Sequence, residues 1–261
     1  MTETKAKRLQ VLLLGGTSEA TLLAERLAST AGVAATLSLA GRTTNPGASP
    51  IPLRVGGFGG VAGLAEYLAR EGIALVVDAT HPFAAQISNN AIAACTAAGV
   101  PLLAIERPQW SPTTGDDWQE HETVEAAITA LPKAPRRIFS GLGRQSIAAL
   151  CSAPQHHYVI RVIEPVVPPR ELPHATIVTA RGPFRTEDDV ALFRAHGVQC
   201  VLAKNAGGSA AYAKLEAARQ LGLKVYIIRR PEIAKRPVVN SIDDVLAWIA
   251  THHSPLTERG V

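Results

Sequence analysis

Short apolar runs alternate with helically spaced segments through almost all of this 261-residue chain, and that alternation limits it to α/β architectures built on parallel strands. Residues 9–14, 34–40, 73–78 and 100–105 read as strands. Helices are expected over 21–28 and 61–70, and over a long small-residue stretch that opens near Pro82 and runs through Ala98. Residues 106–122, with Pro108, Pro112 and Gly115, read as a crossover, and 123–131 as a helix. The second half repeats the architecture without repeating the sequence: strands at 137–140, 158–163, 175–179, 199–203 and 224–228, and helices at 187–195, 210–221 and 242–250. The expected fold is two open, mostly parallel-sheet Rossmann-like domains facing a central cleft, divided as 1–110 and 111–261. In open α/β sheets ligands bind outside the carboxyl ends of the strands, so the loops at those ends are where function is sought.

The first such loop carries a strong punctuation mark. Val11-Leu12-Leu13-Leu14 stops at Gly15-Gly16 and opens through Thr17, Ser18 and Glu19 into a helix. Glycines let backbone amides approach a ligand closely, and the free N–H groups and positive end of the helix favour an anion. Thr17 and Ser18 can cap the helix or bond a phosphate oxygen. Three spaced glycines, the full dinucleotide fingerprint, are absent, so on these residues alone a plain strand-to-helix turn and a phosphate cradle are equally good readings.

The end of the second strand separates them. In dinucleotide folds an acidic residue there selects the unphosphorylated cofactor. This chain instead reads Ser38-Leu39-Ala40-Gly41-Arg42-Thr43, setting a guanidinium and hydroxyls where a 2′-phosphate would sit. That favours NADP(H) over NAD(H), and the missing acid also argues against a site for S-adenosylmethionine. A solvated loop cation is the plain alternative for Arg42. The third strand ends at Asp78-Ala79-Thr80-His81-Pro82-Phe83-Ala84, where Asp78 is a capping candidate and Pro82 suits a first helical turn.

Composition narrows the partners. Lys and Arg number 26 against 22 Asp and Glu, a net charge of +4 with no long basic block, which disfavours nucleic acid and suits small anions. Aromatic residues are 5% of the chain and form no basic-aromatic tract for stacking bases. Cys95, Cys151 and Cys200 suit neither a disulfide framework nor a metal-ligand pattern, so no metal is expected. The polar start and the lack of a membrane-length apolar run point to a cytoplasmic protein. Nothing in the sequence fixes the oligomeric state.

Three loops of the second half share cations and glycines: Gly141-Leu142-Gly143-Arg144, Arg181-Gly182-Pro183-Phe184 and Lys204-Asn205-Ala206-Gly207-Gly208. Each alone is a turn with a solvated cation. Together on one sheet edge they point to an acidic ligand. Arg161 and Glu164 are set aside, because an ion pair at a strand end explains them equally well.

Taken in order, the Gly15-to-Ala20 turn, the Asp78-to-Ala84 string, Gly143-Arg144, Arg181-to-Phe184 and Lys204-to-Gly208 closely resemble the precorrin-6A reductase family of cobalamin biosynthesis, over nearly the whole chain. The family's Lys-Asn-Ser-Gly-Gly is departed from at Ala206, which puts a hydroxyl role there in doubt. The resemblance implies a two-domain enzyme that uses a reduced nicotinamide to saturate one carbon–carbon bond of the macrocycle, giving precorrin-6B. A related NADH-using enzyme serves the cobalt-containing variant of the pathway. It further implies NADPH on Gly15, Gly16, Thr17, Ser18, Glu19, Ser38, Gly41, Arg42, Thr43, Asp78 and Thr80 of residues 1–110. The anionic tetrapyrrole would then lie on Gly143, Arg144, Arg181, Phe184, Lys204, Asn205 and Gly207 of residues 111–261. Lys204 and His81 are the candidates for stabilising charge or giving a proton as hydride arrives, with solvent as a third source. A non-catalytic NADP-binding sensor or partner-binding module is the competing reading.

Overall fold

The computed structural model describes residues 8–41 and 47–252, and they form two compact units, residues 8–106 with 232–252 and residues 107–231. In the first, β1 (Leu9–Leu14) leads into α1 (Ser18–Ala28), then β2 (Val33–Leu39), β3 (Leu53–Val55), α2 (Gly60–Arg70), β4 (Leu75–Asp78), α3 (Ala85–Ala98) and β5 (Leu102–Ile105). The second holds β6 (Asp117–His121), α4 (Val124–Thr129), β7 (Arg137–Ser140), a 3₁₀ turn and the short α5 (Ile147–Leu150). It continues through β8 (His157–Val162), β9 (Ala175–Thr179), α6 (Thr186–Ala195), β10 (Cys200–Lys204), α7 (Ala213–Gln220) and β11 (Lys224–Ile228). The chain then returns to the first unit as β12 (Val238–Val239) and α8 (Ile242–His252).

Every strand pairing is parallel. The first sheet runs β3-β2-β1-β4-β5-β12 and the second β9-β8-β7-β10-β11-β6. Both have the doubly wound order in which the direction of winding reverses at the centre, between β1 and β4 and between β7 and β10. The near-continuous apolar runs of β1 and β4 follow from burial on both faces. Leu13 and Val77 pack toward α1 and α8, and Leu12, Leu14 and Val76 toward α2 and α3. In the second unit Phe139, Val159, Val201 and Ile227 pack with Phe193 and Leu215, which come from α6 and α7.

The division at 110/111 is corrected in two ways. The boundary falls after Glu106, and residues from Glu232 onward belong to the first unit, where β12 pairs with β5 and α8 supplies Val245 and Ile249 to the core beside α1. The apolar stripe of α8 is visible in the sequence, but it does not encode which sheet buries it. Three strands are new. β3 and β12 are too short to show a period, and β6 reads Asp-Trp-Gln-Glu-His because it closes the sheet as an edge strand.

Candidate active site

Of the loops singled out by sequence, those after β1, β4, β7 and β10 arrive at the two winding reversals, and those after β2 and β9 lie farther out on the same carboxyl edges. After β1 the two glycines serve different needs. A Cβ on Gly15 would lie 2.5 Å from Leu37 Cδ1 and 3.1 Å from Leu39 Cδ2, so a side chain here would have to push aside two leucine ends of β2. Gly16 has open space around it and φ +133, a conformation L side chains rarely adopt. Thr17 is committed on both sides: its Oγ1 accepts from the Ala20 amide (3.2 Å) as the N-cap and donates to the Ala79 carbonyl (2.8 Å), tying the β1 turn to the β4 turn. Ser18 is exposed and bonds the Glu19 carboxylate (3.2 Å). Among the described residues nothing accepts from the amides of Gly16 and Ser18, so the turn presents bare N–H groups at the positive end of an eleven-residue helix. That donor set fits a pyrophosphate.

At the end of β4, Asp78 does not cap α3. It is nearly fully buried, and its Oδ1 takes the amide (3.1 Å) and hydroxyl (2.7 Å) of Thr80, while Oδ2 lies 3.8 Å from Arg236 Nη2. Arg236 also bonds Glu106 (2.5 Å). Asp78 and Thr80 therefore shape the turn, and the partner that holds Asp78 lies 158 positions away, where no local signal marks it. Pro82 falls in a tight turn closed by Ala84 N to His81 O (2.7 Å), and α3 begins only at Ala85. The His81 ring orders that turn, because its Nδ1 accepts from the Phe83 amide (3.2 Å), which places the neutral ring's proton on Nε2.

At the end of β2, Ser38 is buried with its hydroxyl bonded to Arg54 (3.3 Å), so it positions that guanidinium and is not itself open to a ligand. Gly41 is exposed with φ +75 beside Val55. Arg42 and Thr43 lie outside the described residues.

In the second unit, Gly143 opens the 3₁₀ turn with φ +80, and Arg144 beside it is exposed, as is Arg181 after β9. Lys204, the last residue of β10, donates to Ser146 Oγ (3.3 Å). Asn205 departs from its expected role as a ligand residue. It is buried, its Oδ1 accepting from Trp110 N and its Nδ2 donating to Trp110 O, both at 2.9 Å. Gly207 and Gly208 leave room for Pro108 and Arg107, and Arg230 donates to the carbonyls of Asn205, Ala206 and Arg107. The Lys-Asn-x-Gly-Gly string thus docks the segment around Trp110, with Lys204 at the strand end bonded to Ser146. Phe184 helps line a cleft of about 540 Å³ with Pro108, Trp110, Gly208, Tyr212 and Glu216.

Behind Phe184 sits an arrangement that sequence reasoning missed. Arg161 pairs with Asp189, not with Glu164, and its guanidinium is sandwiched between Phe139 (4.8 Å) and Phe184 (3.7 Å). Lys214, also buried, donates to the Ala211 carbonyl and lies 4.7 Å from the Trp110 ring centre. Burial, helped by Arg161 and Arg107 and opposed by Asp189, pushes its ammonium down to about 7. Among the described residues no cluster of His, Cys, Asp and Glu could hold a metal ion, and no helix is long and apolar enough to cross a membrane.

Comparison with known proteins gives a consistent result. Residues 10–250 match the family described as precorrin-6x reductase CbiJ/CobK. A precorrin-6A reductase of Rhodobacter capsulatus is 50% identical over 97% of this chain and 99% of its own length, and one of Rhodococcus erythropolis is 43% identical over 93% and 98%. A cobalt-precorrin-6A reductase of Priestia megaterium is 26% identical over 90% of this chain and 96% of its own. The solved structure of a CobK precorrin-6A reductase superposes with a TM-score of 0.89 at 49% identity, covering 97% of this chain and all of that one.

Proposed function

The chain belongs to the precorrin-6x reductase family, and from that premise we propose that it reduces precorrin-6A to precorrin-6B in cobalamin biosynthesis with NADPH as the reductant. The metal-free substrate is favoured because the similar precorrin-6A reductases are 38–50% identical to this chain and the cobalt-precorrin enzymes 26–27%. The carrying observation is the unpartnered pair of amides, Gly16 and Ser18, at the winding reversal of the first sheet.

When bound, the reduced nicotinamide supplies a hydride to the macrocycle. The residues of this chain do the rest. Gly16, Ser18 and the start of α1 hold the pyrophosphate, Thr17 and Asp78 keep the two flanking turns in register, and Arg42 and Thr43 are assigned to the 2′-phosphate by their place in the sequence. Arg144, Arg181 and Lys204, all on the carboxyl edge of the second sheet, answer the carboxylates of a tetrapyrrole. Phe184 and Trp110 give an apolar surface to its face and exclude water. Lys204 and His81 remain the candidates for stabilising the electron density that hydride delivery pushes into the conjugated nitrogens.

Mixing the purified protein with precorrin-6A and following reduced-nicotinamide absorbance tests the reading. NADPH is expected to be consumed in step with precorrin-6B formation, faster than NADH and faster than with cobalt-precorrin-6A. Tight NADPH binding with no turnover of the tetrapyrrole would instead identify a sensor or partner-binding module.

A further inference from the structure

We propose that Arg54, on the strand beside β2, is a further residue that recognises the 2′-phosphate of the dinucleotide, in addition to Arg42 and Thr43, which are assigned from the sequence; this rests on the NADPH reading above. β3 runs parallel to β2 with Arg54 in register opposite Ser38, so the side chain reaches the strand end where doubly wound sheets tell a ribose hydroxyl from its phosphate ester. The guanidinium is already oriented. Its Nη1 donates to Ser38 Oγ (3.3 Å) and to the Gly56 carbonyl (2.5 Å), its Nη2 donates to the Gly57 carbonyl (2.7 Å), and its plane lies 3.8 Å from the Phe58 ring centre. These bonds use three of the five N–H groups of an arginine. Among the described residues nothing accepts from Nε, so the edge formed by Nε and the remaining Nη2 hydrogen is available, and that fork matches two oxygens of a phosphate.

Charge points the same way. Among the described residues no carboxylate lies within 4.0 Å of Arg54; the exposed Arg144 and Arg181 share that lack, but Arg54 is half-buried and held in place by the Gly56 and Gly57 carbonyls. The sequence from Arg26 to Ala65 contains no Asp or Glu at all. A half-buried cation held in place by neutral carbonyls, with no acid on the neighbouring segment, lacks an anion that a ligand can bring. Because the side chain is fixed before binding, little rotamer freedom is lost when a phosphate arrives.

Calorimetric titration of NADP⁺ and NAD⁺ into the substrate-free protein and into Arg54→Ala and Arg54→Lys variants decides the matter. Arg54→Ala is expected to weaken NADP⁺ by about tenfold or more and NAD⁺ by less than about twofold, the size expected for loss of a charge-assisted bond. Arg54→Lys should fall between, since an ammonium keeps the charge and loses the fork. Equal weakening of both nucleotides would reduce Arg54 to a clamp on the Gly56-Gly57 turn and overturn the proposal. Should Arg54→Ala fail to fold, a Lys variant that keeps the full wild-type preference overturns it too. A wild-type protein indifferent to the 2′-phosphate would end the NADPH reading itself. A preference retained by both variants would end only the role of Arg54.

Discussion

Gly15 and Gly16 stand side by side in the sequence, yet the fold asks opposite things of them. A methyl on Gly15 collides with Leu37, so Gly15→Ala should cost about 1–3 kcal/mol of stability by overpacking, read by urea unfolding, with nucleotide affinity in the folded fraction nearly unchanged. Gly16 has room but a left-handed backbone, so Gly16→Val should leave the core intact and weaken NADPH and NADH together by turning its amide away from the cradle. The reverse pattern would refute the division of labour. Lys214 permits a pH test. With its folded-state value near 7 and an unfolded value near 10.5, the unfolded chain binds the extra proton between those limits, so stability should rise as pH climbs from about 7 toward 9. Below about 7 the ammonium is protonated in both states and its burial costs in full. Lys214→Met should flatten that rise in a series of urea melts, and an unchanged slope would show that the buried amine is not its source.

At the scale of elements, α8 is expected as a helix but not as a layer of the first unit. Its Ile249 is about 1% exposed and packs with Val245 in the core of the first sheet. Ile249→Ala should therefore destabilise the protein by about 2–5 kcal/mol, as for any buried aliphatic truncation, and a loss below 1 kcal/mol would mean that the helix is not an integral layer. The strand-to-helix turns follow a different logic. The turn after β1 was legible because glycines, a hydroxyl cap and an apolar strand lie within ten residues. The turn after β4 was misread because the partners of Asp78, namely Thr80 and Arg236, compete with helix capping and one of them comes from the far end of the chain. Asn205 follows the same logic: in sequence its amide looks like a ligand donor, and in the fold Trp110, 95 positions earlier, takes both of its ends.

Across the whole molecule, continuity of chain separates the two units. All six strands of the second sheet lie between residues 107 and 231, whereas the first sheet needs β12 and α8 from beyond 231. A fragment of residues 107–231 is expected to fold and unfold cooperatively on its own, as followed by circular dichroism. Residues 1–106 alone should aggregate, because Leu13, Val77 and Leu103 lose the cover of Val245 and Ile249. A soluble, cooperative 1–106 fragment would contradict this account.

What the sequence determined by itself was local: the alternation that specifies parallel α/β units, the bare-amide turn at Gly16, the cation-bearing loops at strand ends, and the family resemblance those strings carry. Tertiary structure alone decided what depends on distant partners: the return of residues 232–252 to the first sheet, the ties of Asp78 to Arg236 and of Asn205 to Trp110, and the setting of Arg54 against Ser38 and Phe58. Turn chemistry and strand periodicity are written within a few residues and survive reading one at a time. Which buried polar group meets which is settled only when packing brings together segments that the sequence keeps apart.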